Sequence, residues 1–184
     1  MGGGFRQVAE DEAWSGHHLT VVEGRFAAPD GRTFTRELLR TGGAVAAVPV
    51  LDDGDTVLLV RQYRSALDDL LLEIPAGMLD VEGEAPEAAV RRELVEEVGY
   101  DASDVTFLLR AHVAAGFSDH VVTVFLATGL THVGQDLQGP EEEHMTVERL
   151  SLGDVPGLVA SGELTDGKTI MGLLAAREHL GLCR

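Results

Sequence analysis

The sequence predicts an α/β (α+β) sandwich, a mixed β-sheet with helices packed on it, preceded by a small antiparallel β unit. Three observations predict it. Apolar runs of strand length recur along the chain between turn-forming residues. Helical spacing occurs in three places, once in mid-chain and twice near the C-terminus. The run Thr41-Gly42-Gly43 breaks the pattern, setting an N-terminal unit (1–42) apart from a larger domain (43–184). The 184 residues suit one domain with a small appendage.

In order, His18–Ala27 and Thr33–Arg40 are strand-like and joined by the turn signal Pro29-Asp30-Gly31. A lone hairpin is marginal in water, so this one is expected to pack on the main domain or on another subunit. Val45–Leu51 and Thr56–Tyr63 flank Asp52-Asp53-Gly54-Asp55 and read as a second hairpin. Leu70–Ile74 is a short strand stopping at Pro75-Ala76-Gly77. Pro86–Val98 is helical: Pro86 suits a first turn, Glu84 and Glu87 the positive end of the dipole, and Gly99 the position after the last turn. Strands Val105–Val113 and His120–Ala127 follow, with Ala114–Asp119 as the loop between them. Gly134–His144 is a long polar loop, Thr146–Leu150 a short strand, and Asp154–Ser161 and Thr165–Leu180 are helices, the second capped by Thr165 or Asp166.

Composition excludes several classes of function. Fourteen basic against 31 acidic residues give a net charge of −17. That surface repels nucleic acid, whose affinity comes from Lys and Arg neutralising phosphates. It repels a free nucleotide as well, unless local cations reverse the field within a site. No apolar run approaches the length of a membrane span, and Met1–Arg6 lacks a signal-peptide pattern. The single cysteine, Cys183, permits neither an intramolecular disulfide nor a cysteine metal site. A soluble cytoplasmic protein, bound to neither membrane nor nucleic acid, is expected.

The chemistry is expected on the mid-chain helix. Residues four apart share a helix face, so Glu93 and Glu97 project together and Glu96 flanks them. Val90, Leu94 and Val98 form an apolar stripe beside the carboxylates that can anchor the helix on the sheet. Three adjacent carboxylates repel one another unless a cation sits between them, and hard oxygen donors suit Mg²⁺ or Mn²⁺. Arg92, four before Glu96, can neutralise and orient it. Taken alone, Glu-x-x-Glu-Glu is a common solvated helix face. Its context is less common: a Pro-Ala-Gly strand end, an acidic Gly-containing loop, then this helix ending at Gly99-Tyr100.

In that context the chain resembles the Nudix hydrolase family, with its signature Gly-x5-Glu-x7-Arg-Glu-U-x-Glu-Glu-x-Gly-U, where U is bulky and apolar. Glu84, Arg92, Glu93, Leu94, Glu96, Glu97, Gly99 and Tyr100 match in register, while Gly77 lies one residue too far ahead, an insertion within Met78–Gly83. The resemblance spans most of Ala44–Leu180. It implies a Nudix-type α/β/α sandwich and metal-assisted cleavage of a nucleoside diphosphate linked to another moiety. By the same resemblance Glu93, Glu96, Glu97 and the backbone carbonyl of Ala76 are metal ligands, and Arg92 orients the carboxylates.

Three further segments, Val60–Arg64, Leu72–Met78 and Ala115–Asp119, resemble the ADP-ribose pyrophosphatase branch. In that branch the N-terminal β unit helps form a homodimer and contributes to the adenosine site. The implied substrate contacts are Arg61 or Arg64 to phosphate, Glu73 in the second segment, and Gly116, Phe117 and Ser118 near the terminal ribose. Phe117 serves equally well as a core residue. The branch takes its general base from a mobile loop after the helix, matched here by Pro140–His144. Glu141 or Glu142 is favoured, with Glu143 behind them and His144 a lesser alternative.

The expectation is a Mg²⁺- or Mn²⁺-dependent homodimer cutting ADP-ribose to AMP and ribose 5-phosphate. The alternatives are a hydrolase of another nucleotide sugar or dinucleoside polyphosphate, and a sensor that binds ADP-ribose without cutting it. NADH-cleaving relatives fit less well, because their zinc cysteines are missing.

Overall fold

In a computed structural model describing residues 4–136 and 143–182, the chain divides into two units. One comprises the N-terminal segment to Gly43 together with His112–Val121; the other runs from Ala44 to Ala111 and onward from Val122.

The N-terminal unit is built on β1 (Arg6–Ser15), β2 (Leu19–Ala27) and β3 (Thr33–Thr41), hydrogen-bonded in that order. The β2–β3 hairpin closes at Pro29-Asp30-Gly31, where the Ala28 amide donates to the Arg32 carbonyl over 2.8 Å. Pairing then runs in continuous register from Ala27↔Thr33 to Leu19↔Thr41. The predicted hairpin is thus two-thirds of a three-stranded sheet. β1 escapes sequence reading because it is polar, mostly exposed and irregular, with register shifts at Gln7/Ala9 and Glu12/Trp14. The second surprise is His112–Val121, which belongs with β3: the Leu39 amide donates to the Phe117 carbonyl (2.8 Å) and the Thr41 amide to Asp119 Oδ1 (3.0 Å).

The second unit contains a four-stranded sheet in the order β7 (Ala76–Met78), β4 (Ala44–Pro49), β9 (Val121–His132), β8 (Tyr100–His112). β4 runs antiparallel to β7 and parallel to β9, so the sheet is mixed, as expected. A three-stranded sheet holds β10 (Thr146–Ser151), β5 (Thr56–Arg64) and β6 (Asp69–Glu73), antiparallel throughout.

Two expectations are corrected here. Val45–Leu51 and Thr56–Tyr63 do form successive strands around a tight turn, yet they lie in different sheets and share only the bridge Val50↔Val57. Both runs are apolar on both faces, so each needs cover on two sides, which one hairpin cannot supply. Second, the short strand does stop before Pro75-Ala76-Gly77, at Glu73, but that run is not a mere strand end: Ala76–Met78 forms a further strand against β4.

Alternation along these strands divides the core. Ala46, Val48, Val57, Leu59, Val122 and Val124 face one apolar cluster with Val155, Leu173 and Ala176 from the C-terminal helices α2 (Val155–Ser161) and α3 (Gly167–His179) and with Leu164 between those helices. Val45, Ala47, Leu58, Val60 and Phe125 face another with Ala89 and Val90 of helix α1 (Pro86–Glu93) and with Leu94 and Val98. Helices on both faces of the strands make this unit the α/β/α sandwich expected. The stripe Val90, Leu94 and Val98 buries as predicted, and α3 is capped by Asp166, whose carboxylate accepts from the Thr169 amide at 2.9 Å.

The predicted single helix Pro86–Val98 is two segments: α1 gives way at Glu93 to a π-helical turn, Leu94–Val98. Gly99, at φ +75°, stops it in the left-handed region. Single π turns are rare and recur at functional sites. β8 also begins at Tyr100, five residues before the predicted strand.

Candidate active site

The first turn of α1 carries Pro86 and Glu87, and its last turn Arg91 and Arg92, an order that suits the helix dipole. The next turn presents the carboxylates. Glu93 and Glu97 are both buried, Glu97 to 5% exposure, too deep for two anions to stand without positive or hydrogen-bonding partners. Arg92 supplies the first set: Nη1 reaches Glu93 Oε1 at 2.6 Å and Glu96 Oε2 at 3.2 Å, while Nε and Nη2 engage Glu84 at 3.3 and 3.1 Å. These contacts, the Glu84 hydrogen bond foremost and burial opposing, hold the Arg92 guanidinium far above its ordinary pKa. Glu97 instead accepts from the Ala76 amide at 2.9 Å, which ties the π turn to β7. Gly77, next along β7, lies so close to Glu93 that a Cβ there would fall on the Glu93 carboxylate. Glu84, matched by the signature but assigned no role from it, proves to be the main anchor of Arg92.

A second charged group lies in the same unit. Arg64, at the end of β5, donates from Nε and Nη2 to the two oxygens of Glu73, both at 2.6 Å. Glu73 is 1% exposed and also accepts from Lys168 of α3, which reaches Asp166 as well at 3.0 Å. The Glu73 hydrogen bond, opposed by burial and helped by the charges of Glu73, Glu97 and Asp166, raises the Arg64 pKa and keeps it cationic. Glu73 therefore lies beneath Arg64 with both oxygens engaged.

Arg61 is placed differently. It shares strand parity with Val57 and Leu59 and pairs with Glu148 at 2.5 Å, whereas Arg64 shares parity with Leu58 and Val60, the face turned to α1. Gln62 is also on the α1 face, buried, and its Nε2 has no hydrogen-bond partner among the described residues. Sequence reasoning missed Gln62, Lys168 and Asp166 as neighbours of the candidate residues. Only the strand parity of Gln62 and Arg64 hinted at the first of these.

Gly116, Phe117 and Ser118 fall in the N-terminal unit. Phe117 is half exposed, and Ser118 lines a cleft of about 290 Å³ with Leu38, Arg40, His112, Ala115 and Asp119. Arg40 there binds Glu10 at 2.5 Å and Asp119 at 3.5 Å. Glu141 and Glu142 lie outside the described residues.

Among the described residues no three Asp, Glu, His or Cys side chains are grouped to hold a metal ion as they stand. The donor set nevertheless suits a hard divalent cation: Glu93, Glu96 and Glu97 offer only oxygen, and a guanidinium already stands between two of them. Residues 40–171 match the model of the NUDIX domain.

The chain belongs to the Nudix family. It is 35% identical over 164 residues to the ADP-ribose pyrophosphatase of Bacillus subtilis (strain 168), covering 89% of this chain and 88% of that one. It is 37% identical over 171 residues to the ADP-ribose pyrophosphatase of Mycobacterium tuberculosis, covering 93% and 82%. Among solved structures, one described as an ADP compounds hydrolase superposes with a TM-score of 0.84 at 26% identity, covering 98% of this chain and 96% of the other. The protein is thus a Nudix hydrolase, and the charged helix is its Nudix helix.

Proposed function

We propose that this Nudix hydrolase cleaves ADP-ribose to AMP and ribose 5-phosphate with Mg²⁺ or Mn²⁺. The observation that carries this reading is the gathering of Glu93, Glu96 and Glu97 about Arg92 and the β7 backbone, in a chain whose relatives are named ADP-ribose pyrophosphatases. A bound divalent ion lowers the pKa of its water and neutralises charge growing on the diphosphate. In this reading Glu93, Glu96, Glu97 and the Ala76 carbonyl hold the ion and Arg92 orients the carboxylates. Arg64 donates charge-assisted bonds to phosphate. It is preferred to Arg61 because it lies on the α1 face and within the field of Glu97. Gly116–Ser118 contact the terminal ribose, and Glu141 or Glu142 takes the proton from the attacking water.

The protein works as a cytoplasmic homodimer through its N-terminal unit, where Phe5, Val8, Trp14 and Leu19 are exposed. Among the described residues no helix is long and apolar enough to cross a membrane.

Hydrolysis of ADP-ribose, ADP-glucose, GDP-mannose, NADH and diadenosine polyphosphates with each metal tests the substrate. ADP-ribose should have the highest kcat/KM, and preference for another of these compounds would refute the assignment. Metal-dependent binding of ADP-ribose without turnover would instead mark a sensor. Replaced singly by Gln, the true base among Glu141 and Glu142 should lose far more rate than its neighbour. Equal small effects would remove both.

A further inference from the structure

A buried cluster of opposite charges is seldom retained for stability, since desolvation cancels most of the Coulomb gain. The second unit contains a half-buried cluster centred on the fully buried Glu73: Arg64, Glu73, Lys168 and Asp166, drawn from the end of β5, the end of β6 and the start of α3. Its centre, Glu73, has both oxygens occupied, by Arg64 from one side and Lys168 from the other. Lys168 is held in turn by Asp166, which also accepts from the Thr169 amide and hydroxyl at 2.9 and 2.6 Å. Thr169 Oγ1 closes the ring by accepting from the Ile74 amide at 2.9 Å, the residue after Glu73. Two cations therefore converge on the Glu73 carboxylate, with Asp166 and the start of α3 behind one of them.

Arg64 is the member with capacity to spare. In the strand register Arg64 lies opposite Asp69 and Glu73 opposite Val60, so the Arg64 side chain runs back along β5 to reach Glu73. Two of its nitrogens, Nε and Nη2, are spent there, while Nη1 has no hydrogen-bond partner among the described residues. The negative charge of Glu97 helps hold Arg64 cationic. A guanidinium pinned along one edge with donors left on the other is preorganised for an anion.

We infer that Lys168, with Asp166 behind it, is a positioning residue that locks Glu73 and thereby aims the free edge of Arg64 at a phosphate of the bound diphosphate. Lys168 itself touches no substrate; without it, Glu73 gains freedom to turn and Arg64 turns with it. The inference rests on the reading of Arg64 as a phosphate ligand, and the test separates the two.

The probe is methylenediphosphonate, a non-hydrolysable analogue of the diphosphate unit common to every nucleotide-sugar substrate, bound in the presence of Mg²⁺ and followed by calorimetry. Lys168→Met should weaken binding about tenfold, the lower end of what losing a supporting partner costs at a ligand site. Lys168→Arg should restore it to within about twofold, because a guanidinium can still bridge Glu73 and Asp166. With ADP-ribose Lys168→Met should raise KM and leave kcat nearly unchanged, while Lys168→Arg stays near wild type in both. In an Arg64→Gln background Lys168→Met should change nothing further, since its effect passes through Arg64. Equal losses in both backgrounds, or none in either, would overturn the inference. If Arg64→Gln binds the probe as wild type does, the reading of Arg64 falls with it. A loss in Arg64→Gln but not in Lys168→Met sinks the inference alone. Should Lys168→Met melt below the assay temperature, Lys168→Gln is the milder substitute and carries the same expectations.

Discussion

Space at position 77 is set by one carboxylate. Because a Cβ there would coincide with the Glu93 carboxylate, Gly77→Ala forces Glu93 off the β7 backbone. The expected result is weaker Mg²⁺ or Mn²⁺ binding and turnover down by about 10–100-fold, with stability lowered by about 1–3 kcal/mol from overpacking. Metal titration and a thermal melt check both, and a variant with wild-type metal affinity would refute the contact. Glu97→Gln is a purer probe of charge, since the amide retains an oxygen to accept from the Ala76 N–H. Turnover should fall by more than the roughly 10–100-fold cost of disturbing an outer-shell partner, with circular dichroism and melting unchanged. Near-normal activity would refute the metal assignment.

At the element scale, the start of α3 carries more than a cap. Burial raises the Asp166 pKa, but the charge of Lys168 and hydrogen bonds from Thr169 and Lys168 outweigh it, so the carboxyl lies below its ordinary value. A depressed folded-state pKa stabilises above the unfolded value, about 3.9, and that contribution is lost as pH falls through the folded value. Asp166→Ala should therefore cost about 1–2 kcal/mol near neutrality by loss of the cap, and progressively less as pH falls below the ordinary carboxyl value of about 3.9. Urea melts on either side of that value check this; a cost independent of pH would show that the charge does not matter. The Nudix helix was legible as an element because its signals are local: Pro86 at the start, Gly99 at the stop, an apolar stripe between. Its π turn was not, since Leu94–Val98 has ordinary helical composition. The tie from the Glu97 side chain to the Ala76 amide, 21 residues away, also lies beyond helical spacing.

At the scale of the molecule, the first unit joins the N-terminal segment to Gly43 with His112–Val121, although that stretch lies in the middle of the chain. That membership depends on backbone pairing with Leu39 and on Asp119, and nothing local in the loop announces it. Exposed Trp14 on β1 gives a test of assembly. Wild-type protein should sediment as a dimer, and Trp14→Asp should reduce the mass toward that of one chain of 19.6 kDa. A monomeric wild type would leave the exposed apolar residues of β1 without a partner and end the dimer proposal.

The sequence by itself determined the reaction class. Glu84, Arg92, Glu93, Glu96 and Glu97 lie within a dozen or so residues, and the helix converts their spacing directly into proximity. It also determined most strands, because alternation and turn residues are properties of short windows. Tertiary structure decided which apolar run joins which sheet, and that Arg64 rather than Arg61 shares the α1 face. It also decided that Glu73 is a buried anchor linked to Lys168, 95 residues on. Those outcomes depend on long-range pairing, where burial and charge are settled by partners that no local window contains.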